Sequence, residues 1–132
     1  MSKTLEYTIA TSSRTEVVPI DHIIEKAIKE SGVKEGICGV FVPHTTAGVT
    51  INENTDPNVK LDILKTLNKL IPFSDNYAHI EGNSAAHIKS SLVGCSVTII
   101  IEDGKPLLGT WQSVFFCEFD GPRKRKVWVK IR

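Results

Sequence analysis

The stretch from Cys95 to Arg132, CSVTIIIEDGKPLLGTWQSVFFCEFDGPRKRKVWVKIR, decides the class of fold. Apolar and β-branched runs at 97–101, 111–119 and 127–131 are interrupted by Asp103-Gly104 and Asp120-Gly121-Pro122, which are turn signals between strands. The stretch therefore predicts strand after strand. Side chains alternate along a strand, so Lys124, Lys126, Trp128 and Lys130 share one face and Arg125, Val127, Val129 and Ile131 the other. That split divides the basic run between faces. It predicts a solvated or edge strand, guarded by lysines against mispairing, and argues against a nucleic-acid patch. Trp128 among lysines is odd for bare surface and suits packing against a subunit. Arg123, just after the Gly-Pro turn, stands apart from the run as a candidate anion ligand.

Upstream, LEYTIATS (5–12) reads as a first strand, and GICGVFVPH (36–44) and TAGVTINE (46–53) as two more. Three helices interleave with them. In PIDHIIEKAIKESG (19–32), Ile20, Ile23, Ile24, Ala27 and Ile28 recur at helical spacing and Gly32 is the stop. His22 lies on this helix beside the apolar set and reads as a surface residue. In NTDPNVKLDILKTLNKLIP (54–72), Val59, Ile63, Leu67 and Leu70 form the stripe, Asp56-Pro57 is an N-cap with an N1 proline, and Pro72 ends the run. GNSAAHIKSSLVG (82–94) is a shorter helix with Asn83 as N-cap. The sum is an α+β domain spanning 1–132, a largely antiparallel sheet or sandwich with three helices.

Composition narrows the function classes. The chain of 132 residues is 41% hydrophobic and 23% charged, ordinary for a globular domain. Its net charge of +1 gives no global reason for a nucleic-acid or membrane partner. No segment approaches the ~20 apolar residues of a membrane span, and MSKTLEYTIATSS has no apolar run of signal-peptide length. Cys38, Cys95 and Cys117 are odd in number and far apart. They predict a reduced, cytoplasmic setting with all three thiols as small core hydrophobes.

Chemistry centres on HIEGNSAAH (79–87). A continuous helix would separate His79 from His87 by roughly 12 Å along its axis, too far to share an ion. Gly82 lets the chain bend back over a helix start at Asn83, and both imidazoles could then face one point. His44, closing a strand before Thr45-Thr46, is a third candidate. Three histidines with an open position suit zinc; more oxygen ligands would suit manganese or iron. Capping or surface histidines remain the bland alternative. Asp56 likewise is an N-cap first, with a general-base or orienting role as the competing reading. Helix N-termini at Asp56 and Asn83 also make a phosphate-bearing ligand plausible.

Three segments, PHTTAGVTINENTDPNV, AHIEGNSAAHIKSSLVG and LLGTWQSVFFCEFDGPRKRKV, together resemble the YjbQ family of small uncharacterised proteins. The resemblance runs from about residue 36 to the C-terminus and more weakly through the first strand and helix. It implies an α+β homotrimer with a pocket at the subunit boundary and a metal or anion site at His44, His79 and His87. It further implies surroundings of Thr46, Asn54, Asp56, Asn83, Gln112, Glu118 and Arg123. For some members the resemblance implies a secondary thiamine-phosphate synthase activity, which would join a pyrimidine diphosphate to a thiazole phosphate. This chain departs at Glu81, where the family commonly has Asp.

Two readings follow. The first is a trimeric, metal-assisted transferase or hydrolase of a phosphorylated small molecule, with a divalent metal such as zinc. The second is a non-catalytic metabolite- or metal-binding protein, favoured by the lack of a cysteine near the histidines.

Overall fold

A computed structural model describes residues 3–132. Eight strands and three helices follow one another: β1 Thr4–Ala10, β2 Glu16–Pro19, α1 Asp21–Ser31, β3 Gly36–Phe41, β4 Ala47–Glu53, α2 Pro57–Leu70, α3 Ser84–Val93, β5 Ser96–Glu102, β6 Lys105–Leu107, β7 Gln112–Glu118 and β8 Lys124–Ile131. A five-stranded sheet has the order β1-β8-β3-β5-β6 and a three-stranded sheet the order β2-β7-β4. All pairings are antiparallel. The expected α+β architecture is present.

The alternation along β8 is strict: Arg125, Val127, Val129 and Ile131 are buried and the intervening lysines and Trp128 exposed. Of these, Val127, Val129 and Ile131 share a core with Cys38 and Val40 of β3, Ile99 and Ile101 of β5, and Val49, Val114 and Phe116 of the smaller sheet. The apolar face of α1, Ile23, Ile24, Ala27 and Ile28, joins the same core. Gly32 ends α1 at φ +71°, a left-handed cap that glycine adopts without penalty.

Strand β7 is buried at every position from Val114 to Glu118. Val114 and Phe116 face the main core, while Cys117 and nearby Phe119 join Ala86 and the half-buried Leu64, Leu67 and Val93 of α2 and α3. The smaller sheet is thus a middle layer, with the large sheet on one side and two helices on the other. A strand covered on both faces reads as an unbroken apolar run, which explains SVFFCEF. Helix α3 lies so close to β4 that a Cβ at Gly48 would stand 2.6 Å from Gly94 O.

The structure corrects several expectations. Strand β8 is no edge; it lies between β1 and β3, and its lysines mark a solvated face only. Within the chain, Trp128 is stacked on Phe41 at 5.8 Å with Nε1 donating to Glu6 at 2.9 Å, and both rings keep an exposed face. Asp103-Gly104 closes the β5–β6 hairpin with both residues at positive φ, but Asp120-Gly121-Pro122 carries the chain from one sheet to the other. Short β2 and β6 carry no periodic signal that sequence could have used. Cys95 is exposed, whereas Cys38 and Cys117 are buried. No helix among the described residues is long and apolar enough to cross a membrane.

Candidate functional site

The passage from β7 to β8 converges with the first residues of β4 and α3, and charge gathers where they meet. Glu118 ends β7 with no exposed surface. Burial raises a carboxyl pKa, yet this one is held below its ordinary value because hydrogen bonds to the charged form outweigh desolvation. Oε1 accepts from Thr11 Oγ1 at 2.7 Å and Arg125 Nε at 2.8 Å; Oε2 accepts from Asp120 N at 3.0 Å and from Arg125 Nη2. Each carboxylate oxygen therefore has two donors. Arg125 Nη2 also donates to Thr46 Oγ1 at 2.8 Å.

Glu118 and Thr46, implied as site surroundings, are consumed by this internal network and act as its frame. Arg125 was not singled out from sequence. The available signal was an arginine in phase with Val127, Val129 and Ile131, a position that demands a buried acid.

Outside this frame, Asp120 accepts from Asn83 Nδ2 at 3.0 Å and from Arg123 Nη2 at 2.6 Å. Burial would raise its pKa; these two partners outweigh that and lower it. Arg123 also donates through Nε to Asp120 O at 2.6 Å, and its side chain is half exposed. Asn83 occupies the N-cap position of α3, but its side chain makes no cap bond. It binds Asp120 instead, leaving Oδ1 buried without a partner.

Gly82, at φ +79°, turns the chain into α3. The bend brings His79 over the helix start, where its ring meets that of His87 edge to face at a centroid distance of 5.4 Å. Two imidazoles bound tetrahedrally to zinc through nitrogens ~2.1 Å from the ion have centroids roughly 5 Å apart. The 5.4 Å separation of the pair is of that order. Among the described residues no three His, Cys, Asp or Glu side chains cluster for a metal.

His44 is committed elsewhere. Its Nε2 accepts from Lys126 N at 2.8 Å, which places the neutral ring's proton on Nδ1 and makes that nitrogen a donor. Burial, then the nearby Arg125 charge, lowers its pKa. The three histidines do not meet in one chain.

The remaining candidates divide between the two ends of one ladder. In the β4–β7 ladder Ala47 faces Glu118 at one end and Glu53 faces Gln112 at the other. Six residue steps at ~3.3 Å put these ends roughly 20 Å apart. Thr46, Glu118, Asn83 and Arg123 belong to the first end. At the second, Gln112 Oε1 accepts from Gly109 N at 2.7 Å, Asn54 N donates to Trp111 O at 3.0 Å, and exposed Asp56 caps α2 by accepting from Asn58 N at 2.9 Å. Glu81 is exposed.

Comparison with known proteins agrees with the fold and covers the same residues. The family model described as UPF0047 protein YjbQ-like matches residues 5–132. UPF0047 protein MJ1081 of Methanocaldococcus jannaschii is 64% identical over 126 residues, 96% of this chain and 91% of that protein. UPF0047 protein YugU of Bacillus subtilis is 47% identical over 132 residues, 99% of this chain and 98% of that one. Among solved structures, an uncharacterised YjbQ/UPF0047 protein of Clostridium acetobutylicum superposes with a TM-score of 0.95 at 56% identity, covering 97% and 99% of the two chains. A YbjQ-like protein of unknown function from Sulfolobus solfataricus gives 0.94 at 32% identity, covering 99% and 96%. The chain belongs to the YjbQ-like UPF0047 family.

Proposed function

We propose that this YjbQ-family chain is a homotrimeric enzyme acting on a phosphorylated small molecule, with His79 and His87 at its centre and a site completed between copies. The observation that carries the reading is the imidazole pair at 5.4 Å, on the helix start whose Asn83 reaches Asp120 and, through it, half-exposed Arg123. Two histidines offer ligands to a divalent metal, zinc by donor type, or hydrogen bonds directly to a phosphate. Such an ion, when bound, would polarise a phosphoryl oxygen or acidify a water. Arg123 supplies anionic recognition, and Asp120 holds it in place.

Assembly supplies what one chain lacks. Asn54, Asp56 and Gln112 lie roughly 20 Å from the arginine end of the ladder, so a single site drawing on both groups takes them from different copies. The apolar surface supports that arrangement: α2 has no fully buried residue, and Leu61, Leu70, Ile88, Leu92 and Trp111 are exposed. In the assembled site Asp56 serves as general base or orients one, and His44 donates through Nδ1. Thiamine-phosphate synthesis, in which a thiazole phosphate displaces pyrophosphate from a pyrimidine diphosphate, is one reaction of the required class.

A binding role without turnover is the second reading. It is supported by the state of the thiols, since burial pushes Cys117 up to about 12 and Cys38 up to about 11, removing both as nucleophiles. Metal analysis of the purified protein, with His87→Ala as control, tests the first reading alongside turnover of a panel of phosphorylated compounds. The expected result is a divalent ion retained by the wild type and lost from the variant, with turnover lost too. No bound metal together with unchanged phosphate-ligand affinity in His87→Ala refutes it. Tight binding without turnover across the panel selects the second.

A further inference from the structure

The loop between β1 and β2 packs on the turn that carries Asp120. Gly121 N donates to Arg14 O at 2.9 Å, and a Cβ at Gly121 would stand 2.3 Å from Ser13 O. From this loop Arg14 lays its guanidinium 3.7 Å from the centroid of the Phe73 ring. From α3, Lys89 places Nζ 4.1 Å from the centroid of the same ring. Two cations thus share one aromatic side chain. Neither forms an ion pair among the described residues.

Lys89 is the anomaly. It is completely buried on the face of α3 that also carries Ala85, Ala86 and Ser90, and among the described residues Nζ has no hydrogen-bond partner. A lysine is almost never fully buried unless paired. Burial pushes its pKa down, and among the described residues the charge that adds to this, Arg14, has the same sign. Contact with an aromatic face recovers part of the desolvation cost and leaves the ammonium hydrogens unmatched. Packing alone would be served as well by Met or Leu. An anion is the partner whose chemistry answers both cations at once.

We propose that Arg14 and Lys89 form an anion-binding site for a phosphate-class group, with Phe73 as its apolar wall. Arg14 is exposed, so the group enters from its side, and Lys89 supplies the charge from within. Helix α3 carries both this lysine and His87, and the Arg14 loop rests on the turn that carries Asp120. The site therefore shares elements with the candidate centre, but the two-residue spacing of His87 and Lys89 puts them on different faces of α3, so it is an anionic position separate from the imidazole pair. This inference rests on the reading that the ligand is phosphorylated.

Calorimetric titration of orthophosphate and of pyrophosphate into the wild type, Lys89→Met, Arg14→Gln and Arg123→Gln tests it. Arg14→Gln is expected to weaken binding by about ten- to a hundredfold, the loss of one charged hydrogen bond, and Lys89→Met to weaken it through loss of the enclosed charge behind the ligand. Without ligand, Lys89→Met melts at or above the wild-type temperature, because an unpaired buried charge has been removed. Arg14→Gln alters an exposed residue and serves if the core variant fails to fold. Binding lost in Arg123→Gln but kept in the Arg14 and Lys89 variants overturns this site and leaves the candidate centre standing. Binding lost only in the Arg14 and Lys89 variants supports it and removes Arg123 as the anion ligand. No binding of either ion by the wild type overturns it as well.

Discussion

Replacing Glu118 by Gln is the sharpest probe of the frame beneath the candidate site. The change is nearly isosteric, so packing is kept. The donor count is what changes. Each oxygen of Glu118 accepts from two donors, so whichever end receives the amide nitrogen sets an N–H group against two others. Arg125, also buried, is left without a counter-charge. Breaking a buried ion pair from one side costs about 3–5 kcal/mol. For 132 residues at about 2.1 cal/mol/K each, the unfolding entropy is about 0.28 kcal/mol/K. The variant should therefore melt roughly 10–18 °C below the wild type at equal protein concentration.

The pH dependence carries a sign. Glu118 has a folded pKa below its ordinary 4.5, so its contribution is complete above that value and is lost as pH falls through the folded pKa. Gln has no such limb, and the difference between the two proteins narrows in acid. Adding Arg125→Met to Glu118→Gln removes the orphaned charge and should recover stability, a non-additive result. A cost below about 1 kcal/mol for Glu118→Gln, or strict additivity in the double variant, would refute the assignment of a charge-bearing frame.

Two further outcomes are expected. His44 should titrate below 6.5, neutral with its proton on Nδ1, as read from imidazole nitrogen shifts; a protonated Nε2 at neutral pH contradicts the geometry. Since its folded pKa lies below the unfolded one, its contribution to stability is complete above about 6.5 and falls as pH drops. Native-state alkylation followed by mass spectrometry should label Cys95 and spare Cys38 and Cys117; equal labelling of all three would contradict the burial of the last two.

What the sequence revealed followed from period. Helices α1 and α2 and the inward row of β8 are written in 3.6- and 2-residue repeats, and their positions were legible. So was the bend at Gly82 that brings His79 to His87, because a single glycine before an N-cap position is a local signal. Pairing across distance was not. Nothing near Arg125 names Glu118, nothing near Asn83 announces that it binds Asp120 instead of capping its helix, and nothing near His44 reveals the Lys126 amide. Phe73 lies in an irregular segment with no period at all, so its contact with Arg14 and Lys89, from two elements remote in sequence, had no sequence signal. Family motifs gathered residues by their presence in one pattern, which is silent on whether one chain brings them together.

That silence matters most for the histidines. His79 is flanked by Ile80, which is 99% exposed, and His87 by Ile88, which sits one turn from exposed Leu92 on α3. Apolar side chains of this size beside an imidazole pair are a poor investment for a surface that stays in water, since full burial of each stabilises by about 1.5–3 kcal/mol. Covering them would also strip water from the two rings. The proposed assembly therefore does more than bring Asn54, Asp56 and Gln112 within reach. In that proposed arrangement the covering of Ile80, Ile88 and Leu92 would enclose the imidazole pair as well, while Arg123, tied at its base by Asp120, would keep a charged face toward an incoming anion.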